Sequence, residues 1–387
     1  MQLVEFGSIM NMTKGKRPAN QSPEKRDGFM PYVDIKAFET NTIENYTDGV
    51  KCLPCNEGDI LIVCDGSRSG LVGKAINGYV GSTLAKITAD GMTQNYLYYF
   101  LQGKYALLNT KKKGTGTPHL NPDLLKKQML VVPSIPEQER IVTRIEELFS
   151  ELDKAVETLQ TTKQQLAVYR QAVLKEAFCE IPFSEYRPLR EIMQNSPQNG
   201  LYKPKSDYGS GVRILRIDGF YNGFISPTYD FKRLHVSQEE INRYSLKVND
   251  LVVNRVNSMP YLGKCALVRK LDETTVFESN MMRFRLNDEK ANPKYVTYYL
   301  SSLLGKKELT KNAKQAVNQA SINQTDVGNA LIPVPIDILH QKKVVEIIES
   351  RLSVCESIEQ TVDTALAQAD AMRQSILKQA FEGGFNQ

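Results

Sequence analysis

The sequence predicts a mixed α/β chain in which two duplicated domains alternate with two long helices. Three observations lead to this prediction. The helical segment Arg170–Phe178 recurs as Arg373–Phe381 at an offset of 203 residues. Apolar or small residues in both copies follow the 4-3-4-3 spacing typical of a coiled coil. The segments between the helices contain strand-like apolar runs and tyrosine-rich helical stretches, and each feature occurs twice.

Each predicted helix carries one narrow apolar stripe. The constant offset extends back from the repeated segment to Gln138 and Gln341. At about 43 residues and 1.5 Å per residue, each helix should be about 65 Å long. The stripes are interrupted only at Thr162 and Arg351. They consist of Ile141, Ile145, Leu148, Leu152, Ala155, Leu159, Thr162, Leu166, Tyr169 and Val173 in the first helix, and of Val344, Ile348, Arg351, Cys355, Ile358, Val362, Ala365, Ala369, Met372 and Ile376 in the second.

The domain bounds follow from the helices and from charge. We predict domains over 1–135 and 181–335, with the long helices over 136–180 and 336–387. Pro136 lies at the start of the first helix, in keeping with the tolerance for proline in a first turn. The formal net charges of the four segments in chain order are +4, −3, +7 and −3. The two basic domains therefore suit a polyanionic partner such as nucleic acid.

The domains themselves duplicate more loosely than the helices. The offset between matching segments drifts from about 190 to 203, which indicates insertions in loops of the second copy. The matching segments are Gly58–Val63 with Asn249–Asn254, Leu71–Lys74 with Tyr261–Lys264, and Tyr96–Leu101 with Tyr295–Leu300. Shared framework segments with different loops are expected of two copies that have one fold and bind different sequences.

Composition excludes several classes of protein. Hydrophobic residues make up 41% and charged residues 24%, which is ordinary for a globular chain. No apolar run approaches the roughly 20 residues needed to cross a bilayer, and the first residues do not resemble a secretory signal. We therefore predict a cytoplasmic protein with no membrane partner. The six cysteines are scattered, which favours reduced thiols over a disulfide framework.

The layout resembles the specificity subunits of type I restriction-modification systems over nearly the whole chain. In that family a Pro-Leu-Pro-x-x-Glu-Gln-x-x-Ile-Val entry precedes each conserved helix, and Pro133–Val142, which leads into the first helix, resembles it through Glu137-Gln138 and Ile141-Val142. A Gly-Asp apolar strand followed by a Gly-Ser loop is also typical, and Gly58-Asp59 with Gly66-Ser67 matches it. The second copy departs from both patterns, since it lacks the Glu before Gln341 and its strand starts with Asn249-Asp250.

The resemblance implies a chain without catalytic activity of its own. It implies two target-recognition domains that each read one half of a bipartite double-stranded DNA target, and an antiparallel coiled coil of the two helices that sets the spacer. It also implies partner modification subunits, two in number, that bind S-adenosylmethionine and methylate adenine, and restriction subunits that use ATP and magnesium. The acidic faces of the helices would dock the modification subunits. No cofactor is expected in this chain, which would be found with DNA in a prokaryotic cytoplasm.

The sequence leaves two alternatives to a specificity module. The first, a self-contained methyltransferase or nuclease, lacks its motifs. Asn121-Pro122-Asp123-Leu124 has neither the second proline nor the aromatic residue of an adenine methyltransferase, and Gly73-Lys74 is followed by Ala75 rather than Ser or Thr. The three histidines are too widely spaced for a paired zinc site, and Cys52 and Cys55 have no second cysteine pair. The second, a coiled-coil adaptor without nucleic-acid binding, is disfavoured by the basic domains.

Candidate DNA-binding residues lie in three loops of each domain, where cationic and amide side chains cluster. In the first domain they are Lys14, Lys16, Arg17 and Asn20; Arg68 and Ser69; and Lys111, Lys112, Lys113, Thr115, Thr117 and His119. In the second they are Tyr202, Lys203 and Lys205; Asn254, Arg255, Asn257, Ser258 and Tyr261; and Lys311, Lys314, Gln315, Asn318 and Gln319, with Arg213 and Arg216 in addition. We expect the triple lysine to bind phosphates. The planar groups of Arg68, Arg255 and Asn257 suit purine edges.

Overall fold

The computed structural model describes residues 3–110, 118–179, 184–226, 228–335 and 337–382, and it confirms the mixed α/β class. These residues belong to two compact units. The first unit combines 1–160 with 363–387, and the second comprises 161–362. Each unit therefore contains one globular domain together with a part of both long helices. The predicted domain bounds remain predictions, because this division runs through the helices rather than around them.

Both long helices are present. They extend over Ile135–Cys179, with 45 residues, and Ile338–Phe381, with 44 residues. A buried glutamine fixes the start of each. Gln138 accepts a hydrogen bond from the backbone N–H of Thr93 at 2.8 Å, and Gln341 accepts one from the N–H of Asn292 at 2.8 Å. These N–H groups lie just before the tyrosine-rich helices, so the glutamines link each long helix to its own domain.

The parts of the two long helices that meet within a unit run antiparallel. In the first unit Ile376 and Leu377 share a core with Ile141. In the second, their repeat mates Val173 and Leu174 share a core with Val344. Residues near the end of one helix thus pack on residues near the start of the other, and the repeated sequence makes the same contact in both units.

The predicted stripes are wrong at several positions. Ala155, Tyr169, Arg351, Ile358 and Met372 are exposed. The residue that follows each of them is more buried, and these residues are Val156, Arg170, Leu352, Glu359 and Arg373. A strict seven-residue repeat assumes 3.5 residues per turn, whereas a straight helix has 3.6, so the buried face drifts by about 20° per heptad. Arg351, which interrupts the predicted stripe, instead points outward and pairs with Glu176 at 2.7 Å.

Charged residues also lie in the contact between the helices. In the second unit Arg170 is buried and donates to Glu359 at 3.4 Å, with Glu356 at 3.9 Å. In the first unit Arg373 pairs with Asp153. The offset of 203 relates Arg170 to Arg373 and Asp153 to Glu356. The two units therefore share one arginine–carboxylate contact, in addition to their shared apolar contacts.

A phenylalanine at the end of each long helix packs against the tyrosine-rich helix of the unit it enters. The tyrosine-rich helices are Gln94–Gly103 and Pro293–Ser301. The Phe178 ring lies 5.3 Å from that of Tyr295 and 5.2 Å from that of Tyr299. The Phe381 ring lies 5.1 Å from Tyr96 and 5.5 Å from Phe100. Each domain is thus held by the start of one long helix and the end of the other.

The described residues of the first unit form three sheets. Strands Leu3–Glu5 and Met129–Val131 pair antiparallel just before the first long helix. An antiparallel sheet has the order Met10–Lys14, Leu84–Ala89, Ile60–Val63, Val72–Lys74, and a mixed sheet has the order Gln21–Ser22, Tyr46–Thr47, Met30–Val33, Gly78–Val80, Pro54–Cys55. Short helices lie at Phe6–Ile9, Ile35–Thr40, Tyr105–Thr110 and Asp123–Lys126. The buried strand Ile60–Val63 contributes to two apolar cores, one on each face of its sheet.

The second unit elaborates the same plan. Ser184–Pro188 and Leu331–Pro335 pair antiparallel before the second long helix. The central sheet has the order Gln198–Asn199, Met281–Arg285, Asp250–Asn254, Cys265–Leu267, Gly223–Ile225, Phe220–Tyr221. A second sheet has the order Lys232–Leu234, Tyr208–Leu215, Thr275–Phe277. A third has the order Val256–Asn257, Ala320–Ser321, Lys314–Gln315. Helices and 3-10 turns lie at Leu189–Glu191, Lys205–Asp207, Gln238–Tyr244, Met259–Tyr261, Leu303–Thr310 and Gln324–Gly328.

The strand that follows the Gly-Asp or Asn-Asp dipeptide has the same geometry in both units. Asp59 and Asp250 are buried, and each carboxylate accepts a hydrogen bond at 2.8 Å from a backbone N–H three residues earlier. Gly58 and Asn249 both adopt a positive φ, 85° and 71°, which glycine and asparagine tolerate best. The aspartate therefore stabilises the turn that precedes this strand.

The partner strand corrects one predicted match. Ile60 pairs with Lys74, and its equivalent Leu251 pairs with Leu267. Lys74 therefore corresponds to Leu267, and the predicted match of Leu71–Lys74 with Tyr261–Lys264 is wrong by three residues. Longer loops in the second copy misled the comparison of short Leu-Gly-Lys stretches.

Replacing Asp250 with alanine should destabilise the second unit by about 3 kcal/mol, because it leaves buried cationic and N–H groups without their partner. Arg285 Nε donates to Asp250 at 3.1 Å, and the mostly buried Arg283 lies 3.6 Å from it. The loss is measured from the shift of the calorimetric unfolding transition. The control is Asp272→Ala. Asp272 is exposed, and its described ion pair is with the exposed Lys270. Equal shifts for the two variants would contradict the structural role of Asp250.

Within the part of the chain that is described, no helix combines the length and apolar character required to span a membrane. The same residues contain no group of His, Cys, Asp and Glu arranged to hold a metal ion. The six cysteines are free, and burial raises the pKa of Cys55 to about 11, which makes its thiol a poor nucleophile.

Candidate nucleic-acid interface

Loops of the first unit that carry candidate DNA-binding residues meet at Asp65. Lys14 Nζ lies 2.7 Å from one carboxylate oxygen of Asp65, and His119 Nδ1 lies 2.8 Å from the other. The backbone N–H of Gly66 also donates to the carbonyl of Pro118 at 2.8 Å. Partial burial would raise the pKa of Asp65, but the hydrogen bonds from Lys14 and His119 hold it below its ordinary value. The Asp65 carboxylate therefore stays ionised and holds the Lys14 and His119 side chains at the surface.

Lys16, Arg17 and Asn20 follow the strand Met10–Lys14 and are all exposed. Gly15 allows the backbone to pass close to Val80, since a Cβ at position 15 would lie 2.3 Å from the carbonyl oxygen of Val80. Asn20 donates to Asp48 at 2.6 Å. The two cations extend the positive surface beyond Lys14.

The loop after the strand Ile60–Val63 separates its two candidate residues. Arg68 is exposed and pairs with Glu39. Ser69 is wholly buried, and its hydroxyl donates to the carbonyl of Gly66 at 2.6 Å. The sequence places Ser69 among the DNA-binding candidates, but the structure buries it, and its hydroxyl holds the loop that presents Arg68. Gly66 itself has a φ of 103°.

The remaining candidates of the first domain apart from His119 lie outside the described residues. They are Lys111, Lys112, Lys113, Thr115 and Thr117. They stay predictions from the sequence.

The first group of candidates in the second unit lies at the edge of the three-stranded sheet that contains Tyr208–Leu215. Tyr202 is 78% exposed, and Lys205 is exposed in a short 3-10 turn. Lys203 lies 2.9 Å from Glu240, and the hydrogen bond to that carboxylate raises the lysine pKa. Tyr202 and Lys205 are therefore the members of this group that a ligand can reach most freely.

Arg213 and Arg216 lie on or just after the strand Tyr208–Leu215. Arg213 lies 2.7 Å from Glu273, and Arg216 lies 3.3 Å from the buried Glu278. Although partial burial opposes it, the Glu278 carboxylate raises the pKa of Arg216 above its ordinary value. Both arginines are thus oriented by carboxylates in the domain.

The second group shows a division between buried and exposed side chains. Asn254 is wholly buried and donates to the carbonyl of Tyr261 at 3.5 Å, and Arg255 donates to the carbonyl of Ser279 at 3.1 Å. The structure thus buries Asn254, although the sequence places it among the DNA-binding candidates. The half-buried Asn257 accepts the N–H of Ser258 at 2.8 Å, while Tyr261 is 52% exposed.

The third group joins the second through a small sheet. Val256 and Asn257 pair with Ser321 and Ala320 of one strand, which pairs in turn with Lys314 and Gln315. The exposed candidates in and beside this hairpin are Lys311, Lys314, Gln315, Asn318 and Gln319. Lys311 lies 2.8 Å from Glu308. Two groups that are separated by more than 50 residues thus form one surface.

Sequence reasoning missed the carboxylates that orient the cations, which are Glu39, Asp48, Asp65, Glu240 and Glu273. It also missed Lys264, which donates to the carbonyl of Ile217 at 2.6 Å and lies 4.1 Å from the centre of the Tyr221 ring. Burial lowers the pKa of Lys264 to about 8. These contacts join residues distant in the chain, so no spacing in the sequence could indicate them.

The fold matches that of a known class of protein. A chain from a solved type I R-M system structure superposes with a TM-score of 0.68 at 18% identity, covering 98% of this chain and 97% of that one. The model of the type I restriction modification DNA specificity domain matches residues 1–166 and again 185–368. The chain therefore belongs to the type I restriction-modification DNA specificity family, with two copies of the family's domain.

Curated relatives agree with this placement. The chain is 27% identical over 372 residues to the type I restriction enzyme MjaVIII specificity subunit of Methanocaldococcus jannaschii, covering 90% of this chain and 85% of that protein. It is 23% identical over 416 residues to the EcoBI specificity subunit of Escherichia coli, covering 98% and 85%. The resemblance inferred from the sequence is confirmed.

Proposed function

We propose that this chain selects a bipartite DNA target, with each domain reading one half, and that it does so without catalysing a reaction itself. The observation that carries the proposal is the duplication. Each unit presents exposed cationic and amide side chains on loops, and two copies of the specificity domain account for nearly the whole chain. Two copies of one domain suit two half-sites on a duplex, as the two subunits of a dimer do in repressors.

The long helices would set the spacing of the half-sites and dock modification subunits, of which we propose two. Both helices are acidic overall and expose carboxylates such as Glu147 and Glu356. Such surfaces would repel the DNA backbone and suit protein partners. Restriction subunits would complete the assembly, and S-adenosylmethionine, ATP and magnesium would bind to the partner subunits. We place this assembly on DNA in the cytoplasm.

The test is to co-express the chain with the modification subunit encoded beside it and to map methylated adenines across the genome. The expected result is one bipartite motif with a fixed spacer, which disappears when this chain is omitted.

The purified chain alone, supplied with S-adenosylmethionine, ATP and magnesium, should neither methylate nor cut DNA. Turnover by the chain alone would favour the alternative of a self-contained enzyme.

Lys16 and Arg17 should contribute to DNA affinity mainly through phosphates. The double variant Lys16→Gln, Arg17→Gln should weaken binding to all sequences. It should also reduce the slope of log K against log salt by about 1.8, since each lost phosphate contact removes roughly 0.9. The control is Lys126→Gln, Lys127→Gln, which removes the same charge at the helix Asp123–Lys126. An unchanged slope in the first variant, or an equal fall in both variants, would show that Lys16 and Arg17 do not bind DNA phosphates specifically.

A further inference from the structure

Val317 lies at the tip of the hairpin formed by Lys314–Gln315 and Ala320–Ser321, and its side chain is 99% exposed. The hairpin is well defined. Lys314 pairs with Ser321 and Gln315 with Ala320, and the N–H of Ala316 donates to the carbonyl of Gln319 at 2.7 Å. The strand Ala320–Ser321 is anchored in turn to Val256–Asn257. The tip therefore projects from a fixed base.

Folding gives no reason for valine at this position. Turn tips favour glycine, asparagine, aspartate, serine and proline, and a β-branched side chain stabilises a strand by packing on neighbours. At 99% exposure Val317 packs on nothing within its unit. The valine is thus available to a partner at no cost to the fold.

The surroundings of Val317 indicate which partner. From Lys311 to Gln324 the sequence contains two lysines, six glutamine or asparagine residues and no carboxylate. Lys314, Gln315, Asn318 and Gln319 are all exposed. A cationic, amide-rich segment of this kind complements duplex DNA. A two-stranded ribbon also has the width that the major groove admits.

We propose that the hairpin enters the major groove of the half-site read by the second domain, and that Val317 contacts the C5-methyl group of a thymine there. In the major groove this methyl is the apolar feature of the base edges, and apolar side chains recognise it. Asn318 and Gln319 flank the contact and suit adenine, the partner of thymine. This inference rests on the proposed function and adds a specificity-determining residue to it.

The test is a double-mutant cycle between Val317→Ala and thymine→deoxyuridine, which removes the methyl group but keeps base pairing. The protein is the complex of the chain with its modification subunits, and the duplex carries the motif obtained from adenine mapping. Each thymine of both half-sites is replaced in turn. At one thymine of one half-site, uracil should weaken the Kd of the wild-type complex about fourfold. Val317→Ala should cause a similar loss on the thymine duplex and no further loss on the uracil duplex.

The matched control is Val248→Ala, because Val248 is also an exposed valine of the second unit but lies outside the candidate surface. It should leave the uracil effect intact. Unchanged melting temperatures would show that both variants fold. If uracil has no effect at any position, or the same effect in wild type and Val317→Ala, the inference is overturned. If no bipartite motif is found at all, the proposed function fails first, and the two failures are thus distinguished.

Discussion

Phe178→Ala should lower the free energy of unfolding of the second unit by about 3–5 kcal/mol, the usual range for a buried phenylalanine. Phe178 is 4% exposed and lies edge-on to the rings of Tyr295 and Tyr299. Its loss opens a cavity where the end of the first long helix meets the second domain. Calorimetry of the full chain measures the effect as a downward shift of one unfolding transition.

Two variants make this prediction specific. Tyr169→Ala removes an aromatic ring from the same helix, but Tyr169 is 49% exposed, so the shift should be small. Phe381→Ala, the change at the repeat mate, should shift the transition of the first unit instead, since Phe381 packs on Tyr96 and Phe100. If Phe178→Ala and Phe381→Ala shifted the same transition equally, the two units would not unfold independently of each other.

Lengthening both helices by one heptad should change the DNA motif. Insertion of seven residues after Thr158 and after Thr361 preserves the pairing pattern and adds about 10 Å to each helix. At 3.4 Å per base pair the spacer should grow by about three base pairs. Those base pairs also rotate one half-site by roughly 100° about the duplex, so methylation efficiency should fall. The half-site sequences should not change, because the loops that read them are untouched.

The measurement is the methylated motif of the lengthened chain assembled with its modification subunits. Insertion in one helix alone serves as the control, since it shifts the residues of that helix past their partners, such as Arg373 past Asp153, and should abolish methylation. Persistence of the original spacer at undiminished efficiency would contradict the proposal that the helices set the spacing.

The architecture could be predicted because the repeat reports it directly. The segment ending at Phe178 and its copy ending at Phe381 have the same apolar spacing, and the structure places both in equivalent cores. The facing residues were predicted less well. A heptad count selects Tyr169 and Met372, whereas Arg170 and Arg373 lie in the contact, because the buried face of a straight helix drifts away from a strict seven-residue repeat. The two arginines then pair with carboxylates of the other helix, Glu359 and Asp153.

The sequence indicates which loops carry the candidate residues, but it does not indicate which of their side chains are exposed. Cationic and amide residues mark the loops, yet Ser69 and Asn254 belong to the same stretches and are buried. Whether a loop side chain points outward depends on backbone carbonyls from distant segments, such as Gly66 for Ser69 and Tyr261 for Asn254. A single sequence contains no local signal for such contacts.

The composition of the first unit has a consequence for folding during synthesis. The second unit is contiguous, so it is complete once residue 362 has been made, but the first unit needs residues after 362 to cover Ile141 and Tyr96. The second segment of this unit begins at residue 363, about 200 positions after its first segment ends at residue 160. At 5–20 residues per second the ribosome needs roughly 10–40 s to supply them. For that interval the apolar face of the nascent first domain remains open to chaperones and to other chains, so the part of the protein made first is completed last.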